Sequence, residues 1–178
     1  YVVTFSIIMV VSFSVIIYIH HSKGFEMSIR NHYCKAFIVR DGSNETVAVF
    51  ALNFDSVQFD SENIEDIFSG FLSTTPDIEH EYEDVFISKI HHPALEITYL
   101  AVRKDKRGQG LGKDLVDKIA SAAQKQLFAG CEFLTVSAYH NKEYSAVSFY
   151  SKCQFNTLDI SRDTSSTTRM FRILYPKE

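Results

Sequence analysis

The sequence predicts an α/β (α+β) domain of three layers built on one mixed sheet. Three observations lead there. Strand-like apolar runs alternate with segments of helical periodicity, a hairpin pattern stands at each end, and a strand, a glycine-rich loop and an amphipathic helix follow one another from Pro93 to Leu127. A chain of 178 residues with 46% hydrophobic content supports one well-cored domain and is short for two.

The first nineteen residues, "YVVTFSIIMVVSFSVIIYI", carry no charge and are interrupted only by Thr4, Ser6, Ser12 and Ser14. At about 1.5 Å per residue this run is long enough to cross a bilayer core as a helix, which makes residues 1–22 a candidate membrane anchor. Its β-branched content equally suits a buried strand followed by a second apolar segment. A cleaved signal peptide is disfavoured, because the run lacks a basic start and a small-residue cleavage site. Lys23, Arg30 and Lys35 follow it and suit a cytoplasmic domain behind an anchor.

"CKAFIVRDGSNETVAVFALNF", Cys34 to Phe54, reads as two strands joined by the turn Asp41-Gly42-Ser43-Asn44. The domain is expected over residues 34–176, with an insertion at about 55–92. Between Asp55 and Asp84 that insertion carries ten acidic residues and no Lys or Arg. Within it Ile64, Ile67, Phe68, Phe71 and Leu72 mark one helical face behind Ser61 as a cap. "PALEITYLAV", Pro93 to Val102, is a strand, and the following helix keeps Leu111, Leu115, Ile119, Ala123 and Leu127 on one stripe until Gly130. "CEFLTVSA", Cys131 to Ala138, is the next strand. A short helix with Ala146, Phe149, Tyr150 and Cys153 in phase comes next, and "TTRMFRIL", Thr167 to Leu174, closes as a strand.

Lys plus Arg of 18 against Asp plus Glu of 22 gives a net charge of −4, which does not indicate a polyanion binder. Cys34, Cys131 and Cys153 are an odd set with no C-x-x-C spacing, so neither a disulfide framework nor a zinc site is suggested, and a reducing cytoplasmic setting is the simplest reading. The adjacent pairs His20-His21 and His91-His92 would point opposite ways along a strand and lack the helical i, i+4 spacing of metal ligands. No metal is assigned. His140, beside Tyr139 and Asn141 at a strand end, reads as a loop histidine.

The chemistry concentrates in "LAVRKDKRGQGLGKDL", Leu100 to Leu115. Glycines between a strand and a helix let backbone N–H groups approach a ligand, and the first helical turn offers unpaired N–H donors with partial positive charge. A phosphate is the expected guest. The stretch is not a P-loop: Asp114 follows Gly112-Lys113 where Ser or Thr belongs, and Arg107 stands where the earlier Gly belongs. Nor is it a dinucleotide fingerprint, since Gly108, Gly110 and Gly112 run G-x-G-x-G. A plain turn joining strand to helix remains the alternative on glycine spacing alone.

Arg107-Gly108-Gln109-Gly110-Leu111-Gly112 fits the pattern Arg or Gln, x, x, Gly, x, Gly or Ala and resembles the pyrophosphate loop of the GNAT N-acetyltransferases. "AVSFYSKCQF", Ala146 to Phe155, is similar to a second segment of that family, Ala, x, x, Phe or Leu, Tyr, x, Lys, x, Gly, Phe. Two departures stand out: Gln154 replaces the usual Gly, and Glu143 stands where Asn is common.

The resemblance implies a GNAT-like three-layer fold whose central sheet is mixed, mostly antiparallel and flanked by helices. It implies acetyl-CoA as cosubstrate and no metal. Gly108, Gln109, Gly110, Leu111 and Gly112 would admit the pyrophosphate, and Arg107 and Lys113 would add charge. Backbone groups of Leu100, Ala101 and Val102 would hold the pantetheine arm where this strand splays from Glu132–Ala138, and such amides also suit an acyl-transfer oxyanion. Tyr150 would protonate the departing thiolate as general acid, and Glu96 would be the base that deprotonates the amine. From spacing alone, Tyr150 also fits a core aromatic and Glu96 a solvent-facing strand residue.

From Ala36 to Leu174 the layout further resembles the toxin-type acetyltransferases of toxin and antitoxin pairs, which implies aminoacyl-tRNA as acceptor and leaves open whether an antitoxin partners this chain. That group often has Gly-Arg where Thr98-Tyr99 stands, and its RNA-facing surfaces are basic where this insertion is acidic. The expected activity is direct acetyl transfer from acetyl-CoA to a primary amine of a small molecule or peptide. Its rivals are transfer to aminoacyl-tRNA and a non-catalytic acyl-CoA sensor.

Overall fold

The computed structural model describes residues 23–59, 64–69, 81–125, 129–140, 142–157 and 166–174. The apolar segment 1–19 lies outside them, as do Ser61, Phe71, Leu72, Leu127 and Asn141. Among the described residues no helix is long and apolar enough to cross a membrane.

In chain order the elements are α1 (Lys23–Arg30), β1 (Lys35–Arg40), β2 (Thr46–Val57), α2 (Glu81–Ile87), β3 (His92–Val102), α3 (Leu111–Lys125), β4 (Phe133–Tyr139), α4 (Val147–Lys152), β5 (Asn156–Thr157) and β6 (Thr167–Ile173). Residues 64–69 are also helical. The expected strands and helices are present where they fall on described residues. The short helices α1 and α2 and the two-residue β5 were not expected, because each is too short to impose a periodic apolar pattern.

Six strands form one mixed sheet in the order β1-β2-β3-β4-β6-β5. β1 and β2 pair antiparallel, as do β4 and β6, and β5 and β6. β3 and β4 are parallel, with Ala94, Leu95 and Glu96 opposite Phe133, Leu134 and Thr135, and their register ends at Glu96.

The chain separates into two compact units, Tyr1–Asn53 with Ile97–Leu115, and Phe54–Glu96 with Val116–Glu178. In the first, the hairpin turn forms because Asp41 Oδ1 accepts the N–H groups of Ser43 and Glu45 at 3.0 and 3.1 Å, and Asn44 takes a left-handed φ of 61° that asparagine tolerates. Phe37 and Phe50 stack across the hairpin with ring centroids 4.7 Å apart. The second unit is held by a core of Val57, Ile64, Phe68, Phe86, Ala94, Phe133 and Phe171. On β4, Phe133, Leu134, Thr135 and Val136 are all buried, so this strand is covered on both faces and reads as a continuous apolar run.

Candidate active site

Leu100, Ala101 and Val102 end β3, half-buried, and lead through a 3-10 turn at Lys104–Lys106 into the glycine loop. Gly108 and Gly110 have φ of 73° and 84°, the left-handed region that favours glycine, and a Cβ placed on either would meet open space. Gly112 lies inside the first turn of α3. The helix's own ladder begins where the Asp114 N–H donates to the Gly110 carbonyl at 3.0 Å, so the amides of Leu111 and Gly112 precede it. Glycine conformation and helix start therefore meet at one point on the surface, the arrangement that receives a phosphate.

The long side chains of this stretch build the loop. Arg107 Nε donates to the Val102 carbonyl at 2.9 Å, and Gln109 Nε2 to the Asp105 carbonyl at 3.0 Å. Arg107 spends one of its five donors in this way, and Lys113 is exposed on the first turn of α3. Arg103, just ahead, clasps the loop to the hairpin. It grips both oxygens of Asp105 at 2.7 and 2.9 Å, Glu45 Oε2 at 3.0 Å and the Thr46 carbonyl at 3.2 Å, and its N–H bonds the Val47 carbonyl. The hydrogen bonds from Arg103 hold the Asp105 carboxyl below its usual range.

Tyr150 belongs to the second unit, on α4. Its ring is buried, with Phe149 and Phe155 edge-on at 5.0 and 5.4 Å. Burial pushes the phenol pKa up, with the Cys153 and Tyr144 charges acting the same way, so the phenol keeps its proton at neutral pH. The turn after α4 fixes the ring. The Gln154 and Phe155 N–H groups reach back to the Ser151 and Tyr150 carbonyls, both at 3.1 Å, which is the paired closure of a Schellman motif. Gln154 sits at its left-handed position with φ of 67°, where glycine is preferred, and bears a cost of about 1–2 kcal/mol there. The departure from Gly noted in the sequence is thus accommodated as strain, with the turn retained.

Glu96 lies in the second unit, one-fifth exposed, and does not face open solvent as a lone strand carboxylate would. Its Oε1 accepts from Arg169 Nη1 at 2.8 Å and from Ser137 Oγ at 3.4 Å. The same guanidinium bonds Asp55 Oδ2 through Nη2, and Thr135 Oγ1 donates to that oxygen as well. Asp55 and Arg169 escaped the sequence reading. Each is a charged residue inside an apolar strand, and Arg169 is in phase with buried Phe171, but buried Met170 marks the opposite face equally well.

The His91-His92 pair separates where β3 begins. His91 is exposed and its ring meets Gln58 Nε2 at 3.2 Å, whereas His92 is fully buried. His92 Nδ1 lies 2.9 Å from Glu132 Oε2, and Glu132 Oε1 accepts from the Tyr82 hydroxyl at 2.6 Å and from Lys89. Burial alone would raise the Glu132 pKa, but its bonds to His92, Lys89 and Tyr82 prevail and hold it at about 2. His92 Nε2 has no partner among the described residues and lies within a ring of Phe59, Phe86 and Phe133.

Comparison with known families matches residues 59–157 to the family described as Acetyltransferase (GNAT) domain. Comparison with curated proteins finds no significant match. Among solved structures the chain is similar to AtaT complexed with acetyl-methionyl-tRNAfMet, at 18% identity over 80% of this chain and 74% of that one, with a TM-score of 0.51. It is similar to AtaTR bound with AcCoA, at 18% identity over 83% and 74% with a TM-score of 0.52. Tetrahymena GCN5 matches at 13% identity over 89% and 79%, with a TM-score of 0.53.

Proposed function

Since the chain belongs to the GNAT acetyltransferase domain family, we propose that it transfers acetyl from acetyl-CoA to a primary amine by direct attack, with residues 34–176 as the catalytic domain. The observation that carries this reading is the loop: two glycines in left-handed conformation lead into the start of α3, with open space beside each. In this reading the loop amides from Gly108 to Lys113 receive the pyrophosphate, and Leu100, Ala101 and Val102 offer backbone groups to the pantetheine arm. The acetyl-CoA seen with AtaTR supports the choice of cosubstrate.

The amine arrives as an ammonium and gives one proton to Glu96. Its freed electron pair forms the N–C bond at the acetyl carbonyl while the C–S bond breaks. The sulfur leaves with the bonding pair and takes the phenol proton of Tyr150, while the new amide nitrogen sheds its second proton to solvent; solvent in turn reprotonates the phenolate and receives the proton held by Glu96. Because burial favours the protonated phenol, Tyr150 is a proton donor throughout the neutral range.

A narrower reading places the amine on an aminoacyl-tRNA, with an antitoxin as partner. It is favoured by the fold shared with AtaT, solved with acetyl-methionyl-tRNAfMet. The acidic stretch from Asp55 to Asp84 and the net charge of −4 weigh against an RNA surface there.

The test is a transfer assay with the full chain, acetyl-CoA and a panel of spermidine, lysine peptides and methionyl-tRNA. The expected result is release of free thiol in step with acetylation of at least one amine. Methionyl-tRNA as the preferred acceptor would select the narrower reading. Tight acetyl-CoA binding with no acetylated product anywhere in the panel would overturn the enzyme reading in favour of a sensor.

A further inference from the structure

Asp55 on β2, Glu96 on β3 and Arg169 on β6 converge within the second unit, each side chain about one-fifth exposed. We propose that Arg169 is a positioning residue for the acceptor half of the transfer, orienting Glu96 and setting its strength as a base through a guanidinium that it shares with Asp55. The inference rests on the reading of Glu96 as the base.

The geometry supports it in three ways. Both contacts of Glu96, from Arg169 and Ser137, fall on Oε1, which fixes the carboxylate while its other oxygen takes the proton. A glutamate on a strand otherwise samples several rotamers, and a base must sit within hydrogen-bond reach of the proton that it removes. Second, the cross-strand partners Glu96 and Thr135, and Ser137 and Arg169, place this cluster on one face of the sheet.

Third, the charges do not cancel. A guanidinium given wholly to Glu96 would neutralise it and oppose proton uptake, but here it also bonds Asp55. Two carboxylates then share one guanidinium, an arrangement that favours the approach of an ammonium to Glu96. Thr135 anchors Asp55 on the oxygen that the guanidinium uses, so Asp55 holds Arg169 in turn. Among the described residues, the charged groups bonded around Glu96 are Arg169 from β6 and, through it, Asp55 from β2; β4 contributes the neutral Thr135 and Ser137. Asp55 and Arg169 both lie outside the residues matched to the family.

The experiment compares the full chain with Arg169→Gln, Arg169→Lys and Asp55→Asn, using the fastest amine of the panel across pH. Arg169→Gln should lower kcat at least tenfold, leave KM for acetyl-CoA within about twofold, and move the acid limb of kcat/KM upward by about one pH unit. Arg169→Lys keeps the charge and should recover most of the limb position, while Asp55→Asn should move the limb down. A purely structural role would lower rate and thermal stability together with the limb unmoved, which overturns the proposal.

A reading independent of turnover is the 13C carboxyl resonance of Glu96 in the folded chain, assigned with Glu96→Gln. It should shift in Arg169→Gln and less in Arg169→Lys. A Glu96 resonance indifferent to Arg169 overturns the proposal even where transfer is observed. If no amine of the panel is acetylated while that resonance does respond, the failure belongs to the proposed transfer, and the link between Arg169 and Glu96 stands.

Discussion

Tyr150 shows how much one side chain depends on its local closure. Spacing alone fits it to a helical core stripe, and in the structure its ring is indeed buried between Phe149 and Phe155. What separates an acid from a core aromatic is its hydroxyl, held on a ring fixed by the Gln154 turn. Tyr150→Phe keeps the ring and deletes one proton. Acetyl-CoA affinity should stay within about threefold, under the 1.4 kcal/mol that marks a decade, while turnover falls about a hundredfold. Calorimetry and steady-state rates on the same preparation check this, and equal turnover would return Tyr150 to a packing role. Arg107 and Gln109 show the converse. The resemblance gives Arg107 as added charge and Gln109 as part of the pyrophosphate loop, yet Arg107 bonds the Val102 carbonyl and Gln109 the Asp105 carbonyl, so both side chains also shape the loop.

At the scale of elements, the strand, loop and α3 are what the proposed cosubstrate requires, and Arg103 explains why the loop holds its shape. A segment with two left-handed glycines has a large conformational entropy when free. The fork on Asp105, with the ties to Glu45, Thr46 and Val47, restrains it before any ligand arrives. Gly110→Glu is the sharpest probe of this element. A Cβ there meets no atom within 4 Å, so the substitution is strained by φ rather than by crowding, and the added carboxylate opposes a pyrophosphate. Acetyl-CoA affinity should fall more than tenfold, about 1.4 kcal/mol, with Gly110→Ala falling less because it adds only the backbone strain. Isothermal calorimetry distinguishes the two, and unchanged affinity in Gly110→Glu would remove the loop from the site.

For the molecule as a whole, stability at acid pH turns on Glu132, which joins Tyr82 and Lys89 from the α2 region to His92 on β3. Its folded pKa of about 2 lies below the ordinary 4.5. The network therefore contributes fully above about pH 4.5 and is lost as pH falls toward 2, with a size on the order of 3 kcal/mol. Denaturant titrations should find Glu132→Gln less stable than wild type from pH 7 to 5, with the gap closing below pH 4. A gap that ignores pH would mean that the carboxylate's charge contributes nothing. No sequence pattern announces this network, since Tyr82, Lys89, His92 and Glu132 share no periodicity and span fifty residues. The elements with a strong local signal were legible: the Asp41 hairpin, the β3 strand, the glycine loop and the α3 stripe follow from turn chemistry and hydrophobic period, which act between neighbours in the chain. The left-handed glycines and the helix start of the loop were legible for the same reason, because the residues that build them are consecutive. Only the tertiary structure decided that Glu96 answers to Arg169 and Asp55, and that His92 is buried against Glu132. Those pairings depend on which strands lie side by side and in what register, a choice made by long-range burial of both faces of β4 rather than by any local preference of the residues concerned.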